Sequence, residues 1–321
     1  MKRTWRLGYQ GLAAALSCSL LLPGIVAADQ VGGREIVVPE EEVIVDRKEI
    51  VECDCDDSPN QGNVSISAGL DVATAYFFRG ILQERDGGIF WPYAELGITL
   101  WENDSGQSVS FLGGIWNSVH TNKTGASGSG PSNWYEADIY GGLSLGLTDF
   151  LSTDLVYIAY ASPNGAFATI QEFDAVVSID DSQWMPDNFS INPYMRWAFE
   201  LDNTAFGPDE GIYLELGAEP SYVFAADSNY PVTLSLPLTL GLSVDDYYEV
   251  VQPNGSKSDD TFGFFDFGVG LGVPLSFIDP SYGSWSVSAA FHGISLSGDL
   301  ADVNRGDGFF PWGVAGIAME Y

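Results

Sequence analysis

From Asn63 to Tyr321 the chain alternates apolar and polar residues with a period of two. Successive side chains of a β-strand point to opposite faces, so such alternation marks strands with one apolar face. In 234–242 the even positions are all leucine (Leu234, Leu236, Leu238, Leu240, Leu242), and the odd ones are Ser235, Pro237, Thr239 and Gly241. In 189–202 the odd positions run Phe189, Ile191, Pro193, Met195, Trp197, Phe199 and Leu201; the even ones include Arg196, Glu200 and Asp202. Twelve segments carry the pattern: 63–77, 89–100, 108–119, 134–145, 150–161, 168–180, 189–202, 211–225, 230–243, 262–277, 285–296 and 310–321. Each is long enough to cross a bilayer as a tilted strand, which takes about 9–11 residues.

The charges sharpen this reading. The apolar parity of the twelve segments carries none. The other parity carries Asp71, Glu95, Glu136, Asp138, Asp154, Glu172, Asp174, Asp180, Glu200, Asp202, Glu215, Glu219, Asp266 and Glu320, with Arg196 as its one base. A β-sandwich also alternates, but its charged face meets water and holds lysines and acids together. None of the four lysines lies in any segment. The pattern therefore predicts an all-β fold, a twelve-stranded antiparallel transmembrane β-barrel with its apolar face on lipid and its polar face in the lumen. Phe189, Phe224, Tyr230, Phe277 and Trp285 should mark one lipid edge, and Tyr76, Phe90 and Tyr135 the other. With both ends in the periplasm, the outer connections include 120–133, 244–261 and 297–309, each longer than any inner turn, as barrels prefer. Pro193, Pro220 and Pro237 fall within strands, where a missing N–H demands bulges or shifted registers.

Composition bounds the function. The net charge of −32 excludes a nucleic-acid binder working through a basic surface and speaks against docking on anionic headgroups. No stretch reaches the roughly 18 apolar residues of a transmembrane helix. Lys2, Arg3 and Arg6 precede a short apolar run, Leu12 to Leu22, and the small residues at Val26-Ala27-Ala28. Residues 1–28 are thus expected to be a signal peptide. Residues 29–62 form an acidic leader, expected in the periplasm, and 63–321 the outer-membrane barrel. Cys53 and Cys55 in the leader could pair with each other, though in a strained ring, or join neighbouring aspartates at a metal; an incidental role is the preferred expectation.

Three segments resemble a known family. Tyr76-Phe77-Phe78-Arg79-Gly80-Ile81, with Gln83 beyond it, is similar to the tyrosine–x–phenylalanine–arginine–glycine–isoleucine–x–glutamine signature of the TorF-family porins. Gly113-Gly114-Ile115-Trp116-Asn117-Ser118-Val119 and Glu136-Ala137-Asp138-Ile139-Tyr140-Gly141-Gly142 resemble the two strands that follow in that family. The resemblance covers the first third of the barrel and implies an outer-membrane pore; the leader and the 244–261 loop depart from it.

The expected function is passive passage of small polar solutes or ions through a narrow lumen with cation preference. The lining would comprise Asp71, Glu95, Glu136, Asp138, Asp154, Glu172, Asp174, Arg196, Glu215, Glu219 and Asp266. Arg79 could stand at a constriction opposite carboxylates or fix the first loop by a salt bridge. Arg196 reads as a clamp among acids. Two alternatives are a closed barrel serving as structure or surface contact, and a secreted soluble β-protein binding glycans. No enzymatic role is expected: His292 and Ser295 face opposite sides of one strand, and His120 begins a loop. Paired carboxylates such as Glu172 and Asp174 are two among many. Asp302, Asn304 and Asp307-Gly308 miss the calcium-loop spacing by one residue. No cofactor or metal is expected; the expected partners are outer-membrane lipid, the barrel assembly machinery, and small polar solutes or cations.

Tyr321, after Met319, Ile317 and Ala315 at steps of two, resembles the terminal aromatic signal read during barrel assembly. Deleting Tyr321 should lower the yield of heat-modifiable, membrane-embedded protein without altering export; an unchanged yield on gels of membrane fractions would remove that role.

Overall fold

The computed structural model describes residues 63–251 and 255–321; the expected signal peptide and leader, with Cys53 and Cys55, lie outside the described residues. The first wall strand, β1 (Val64–Ala73), is followed by a separate hairpin of β2 (Tyr76–Phe78) and β3 (Ile81–Glu84). The wall continues through β4 (Ile89–Glu102), β5 (Ser108–His120), β6 (Trp134–Gly146), β7 (Leu151–Ala161) and β8 (Ile170–Ile179). Three staves are then each built from two pieces: β9 (Phe189–Ser190) with β10 (Tyr194–Asp202), β11 (Ile212–Ala218) with β12 (Ser221–Phe224), and β13 (Val232–Ser235) with β14 (Leu238–Asp245). A small pair, β15 (Glu249–Val251) and β16 (Lys257–Asp259), decorates the next outer loop. The wall ends with β17 (Phe262–Pro274), β18 (Ser284–Leu296) and β19 (Phe309–Glu320), with the short helix α1 (Gly298–Val303) between the last two.

Every neighbour is antiparallel, and β1 pairs with both β4 and β19, so twelve staves close into a barrel. The closing register sets Ser67 opposite Glu320 and Ala73 opposite Val314. Tyr321 extends it, exchanging backbone hydrogen bonds with Ile66 at 2.8 Å in both directions. Alternation decides which face is which. Ile139, Phe291, Leu201, Leu271, Ile115 and Phe267 stand exposed on the outside. Their strand neighbours Asp138, His292, Glu200, Gly270, Gly114 and Asp266 face inward. A continuous apolar exterior around a polar interior is the architecture of an outer-membrane barrel. It leaves no place for the soluble glycan-binding alternative, whose apolar face would lie inside.

The prolines act as expected. The three split staves are neighbours, and their breaks, at 191–193, 219–220 and 236–237, line up as one seam. The freed groups find partners nearby. Ile191 and Asn192 donate their backbone N–H groups to the buried Asp181 carboxylate at 3.0–3.2 Å. The Pro193, Pro220 and Pro237 carbonyls accept from Ile179, Leu236 and Gly268 at 2.8–3.0 Å. The seam thus bends three staves without leaving a prolyl gap in the ladder.

Several expectations need correction. β1 stops at Ala73, and the chain turns inward through Thr74 and Ala75, so Tyr76 is fully buried in the lumen and not at a lipid edge. Tyr135 is also buried, because a bulge opposite Ser118 and Val119 inserts it between Trp134 and Glu136; Trp134 takes the exposed position. Asp180 lies past the end of β8, in an inner turn, and Asp202 follows a bulge after Glu200; both are exposed. Phe224, Tyr230 and Phe277 are exposed at the short-turn rim, as an interfacial girdle requires.

Ile139, 65% exposed near the middle of β6, tests the lipid-facing assignment. Ile139→Arg should lower the unfolding free energy in lipid vesicles by about 2–4 kcal/mol, the cost of an arginine at the bilayer midplane. Urea titration followed by tryptophan fluorescence would measure it, and an unchanged midpoint would place this face away from lipid.

Candidate functional site

The hairpin after β1 folds into the barrel and crosses its lumen. Tyr76 packs its ring against Trp91 of β4 at 5.4 Å and Trp116 of β5 at 5.7 Å, and donates its hydroxyl to Glu136 of β6 at 2.8 Å. Phe77 reaches Phe310 of β19, and Gly80 lies against Phe264 of β17. At the tip, Arg79 has φ +46° and Gly80 φ +84°. Both sit in the left-handed region, so the turn needs glycine at one position and holds an arginine strained at the other.

That arginine is caged. Its Nη1 and Nη2 donate to Oε1 and Oε2 of Glu172 on β8, both at 2.7 Å, a two-pronged pairing. Nη1 also donates to the Tyr247 hydroxyl at 2.8 Å. The guanidinium carbon lies 4.4 Å from the centre of the Tyr213 ring, 5.1 Å from Phe78 and 5.3 Å from Tyr247, within cation–π range. Tyr160 donates to Glu172 Oε2 at 2.9 Å, and Asp174 Oδ2 stands 3.9 Å from Arg79 Nη2 and 3.5 Å from Arg196 Nε. All these groups are buried, so at this level side chains from the hairpin and the wall pack together inside the lumen. Both readings of Arg79 meet here: it fixes the first loop, and it does so facing carboxylates across the lumen.

Two outer loops grip the hairpin backbone from above. Tyr248 donates its hydroxyl to the Arg79 carbonyl at 3.0 Å. Asn304, which follows α1, donates to the Gly80 carbonyl at 2.7 Å and accepts from the Leu82 N–H at 2.8 Å. The Asn304 side chain, read above near a calcium-like spacing, is thus engaged by the hairpin. On the β3 side, Tyr135 donates to Gln83 and Thr124 to Glu84. His120 stacks on Tyr135 at 4.8 Å and hydrogen-bonds Ser118 Oγ at 2.8 Å. This serine–histidine pair, two residues apart on one strand face, escaped the sequence reading. Ser118 is fully buried and accepts from Trp91 Nε1 at 3.0 Å, so the pair braces the wall beneath the hairpin.

The short-turn half of the lumen is built differently. Small residues line it, among them Ser65, Ser67, Ser152, Ser178 and Ser288, none of them fully buried. Three tyrosines lie flat on the wall over a glycine of the neighbouring strand: Tyr93 over Gly69, Tyr140 over Gly114 and Tyr194 over Gly217. A methyl group on any of these glycines would collide with the ring. Tyr140 donates to Glu95 at 3.0 Å and Tyr194 to Glu215 at 2.9 Å, so the flat rings orient carboxylates.

Every residue expected on the lining faces the lumen, but at two levels. Glu95, Asp154 and Glu219 belong to the short-turn half; Asp71 stands opposite Trp91, which packs on Tyr76, and Glu215 stands opposite Arg196 and accepts from the Tyr213 hydroxyl at 2.6 Å. Glu136, Asp138, Glu172, Asp174 and Arg196 lie at or just beneath the hairpin. Asp138 is buried with neither carboxyl oxygen hydrogen-bonded. Asp266 is spent locally, accepting from Trp312 Nε1 at 3.0 Å and lying 2.7 Å from His292 Nδ1. The three family-like segments meet in space: Tyr76, Trp116 and Glu136 come one from each. Sequence reasoning missed Tyr160, Tyr213, Tyr247 and Tyr248, and it missed the hold of Asn304 on the hairpin. The adjacent Tyr247-Tyr248 in an otherwise acidic loop was the available signal.

In sequence the chain matches no family profile and no curated protein. Among solved structures it is similar to the NanC porin, with 11% identity over 78% of this chain and 98% of that one and a TM-score of 0.39. It is likewise similar to an outer membrane channel from Pseudomonas putida F1 (11% identity, 80% and 94% covered, TM-score 0.40) and to LpxR from Salmonella typhimurium (12%, 79% and 99%, TM-score 0.39). These are distant likenesses between barrels.

The Arg79–Glu172 pair carries a prediction of its own. Removing one partner of a buried pair strands the other charge, so Arg79→Met or Glu172→Gln should each cost about 3–5 kcal/mol. The double substitution should cost clearly less than their sum. Chemical unfolding of the four proteins would measure this, and additive losses would show that the pair is not coupled.

Proposed function

We propose that the barrel is a porin-type channel for small cations, closed in this conformation by its first-loop hairpin. The observation that carries the reading is the charge of the lumen. The ten carboxylates of the expected lining (Asp71, Glu95, Glu136, Asp138, Asp154, Glu172, Asp174, Glu215, Glu219 and Asp266), joined by the inward-facing Glu200, share it with two guanidinium groups, Arg79 and Arg196. Fixed charge of one sign inside low-dielectric walls concentrates counter-ions and repels co-ions. The short-turn half, lined by serines and carboxylates, would act as the cation-collecting vestibule. A twelve-stranded wall stands between the filled eight-stranded barrels and the open sixteen-stranded porins, so a short hairpin suffices to close it. Passage then requires the hairpin to withdraw. The outer-loop tyrosines and Asn304 that hold it are the contacts that would have to give way.

Planar-bilayer recording across a salt gradient tests this. A barrel with residues 76–84 replaced by a short glycine–serine link should conduct more than the unaltered chain, with a reversal potential favouring cations. Glu95→Gln, Asp154→Asn and Glu219→Gln together should weaken that preference, because an ion meets these groups whatever the hairpin does. High salt should weaken it too, by screening. Anion preference in low salt would sink the lining argument, and a hairpin-less barrel that does not conduct would favour a closed structural barrel.

A further inference from the structure

The group at the tip of the hairpin is itself an organic cation. The Arg79 guanidinium is met by the edge-on carboxylate of Glu172, with both prongs at 2.7 Å, by the hydroxyl of Tyr247, and by the face of Tyr213 at 4.4 Å. Tyr160 fixes Glu172 from behind at 2.9 Å, so the carboxylate stays aimed at the cation without the hairpin's help. Glu172 lies on β8, Tyr160 on β7 and Tyr213 on β11, all parts of the wall, and Tyr247 comes from an outer loop. Apart from Phe78 the cage therefore belongs to the barrel, and only its occupant belongs to the hairpin. A forked carboxylate with aromatic faces is the chemistry that recognises planar or alkylated nitrogen cations, because it supplies paired charged hydrogen bonds and π-faces at low cost in hydration. Bare metal ions prefer several oxygen ligands, and among the described residues no group of three or more acidic, histidine or cysteine side chains is arranged to hold one.

We propose that this cage is a binding site for solutes bearing a guanidinium or alkylammonium group, and that Arg79 occupies it in the closed barrel as a tethered competitor. The proposal rests on the channel reading above and deepens it by naming the solute class. Withdrawal of the hairpin exposes Glu172 and, beside it, Asp174. It also frees Glu136 from Tyr76, so the same movement that opens the lumen presents Glu172 without its cationic partner to the entering cation, while Asp174 stays beside Arg196. The tether holds Arg79 at high effective concentration. Solute at low concentration leaves the hairpin seated, and solute at high concentration competes it away. The strained left-handed φ of Arg79 favours that exchange.

The probes are methylguanidinium and its neutral isostere methylurea, used below denaturing concentrations on the full chain in detergent and in bilayers. Arg79→Ala empties the cage. By calorimetry this variant should bind methylguanidinium at least about tenfold more tightly than methylurea, as expected for hydrogen bonds to a charged group. Adding Glu172→Gln should remove at least about tenfold of that affinity. In the unaltered barrel, methylguanidinium should raise the open probability and methylurea should not, a readout that does not depend on the variant folding. Equal binding or equal gating by the two probes, or a preference that survives Glu172→Gln, overturns the proposal. The channel reading fails separately. A hairpin-less barrel that passes no ion removes it while the binding preference of Arg79→Ala stands, and a conducting barrel with no such preference removes the cage alone.

Discussion

Hydrocarbon offers no partner to a free strand edge, so the pairing of β1 with β19 is the condition on which the rest of the molecule depends. It runs from Ser67 to Ala73 of β1, and Tyr321 extends it to Ile66. Once the sheet is closed, alternation sorts the side chains without further instruction. Leucines, isoleucines and phenylalanines such as Leu201, Ile139 and Phe291 go to lipid, and the carboxylates of the lining go to the inside. The acidic lumen is a consequence of closure as much as a device of its own.

An interior with so many carboxylates needs internal partners, and the chain supplies them sparingly. Arg196 lies on the wall near Asp174, two of the three tyrosines that lie over glycines orient acids, and His292 with Trp312 holds Asp266. The arginine at the tip of the first-loop hairpin goes to Glu172. Because that base rides on a hairpin and not on a wall strand, pairing Glu172 and placing the hairpin inside the lumen are one event. The outer loops are bound to the same event through Tyr248 and Asn304, which hold the backbone on either side of the hairpin tip. Surface, plug and lumen are therefore in physical contact, a route by which something acting on the loops could reach the lining.

The proline seam illustrates how the wall tolerates local rule-breaking. Three neighbouring staves lose their continuity at the same level, and Asp181 from an inner turn satisfies two of the backbone donors set free. The defects are shared along one line and capped by a side chain, which keeps the ladder closed around them.

Much of this was legible in the residues alone. The twelve staves, their inward parity, the inward placement of the ten carboxylates and of Arg196, and the need for broken registers at Pro193, Pro220 and Pro237 follow from a period-two pattern, which is local and survives in any window of the sequence. What was not legible depends on contacts between distant positions. Nothing near Arg79 says that it will meet Glu172, 93 residues on, or that Asn304, 224 residues beyond Gly80, will hold the turn. Tyr76 and Tyr135 carry the parity of lipid-facing residues and lie inside, one because the chain leaves the wall after Ala73 and the other because a bulge shifts it. Alternation determined the barrel and the sign of its interior. Only closure, which brings opposite walls within side-chain reach across a narrow lumen, decided that the first loop would fold inward and fill it.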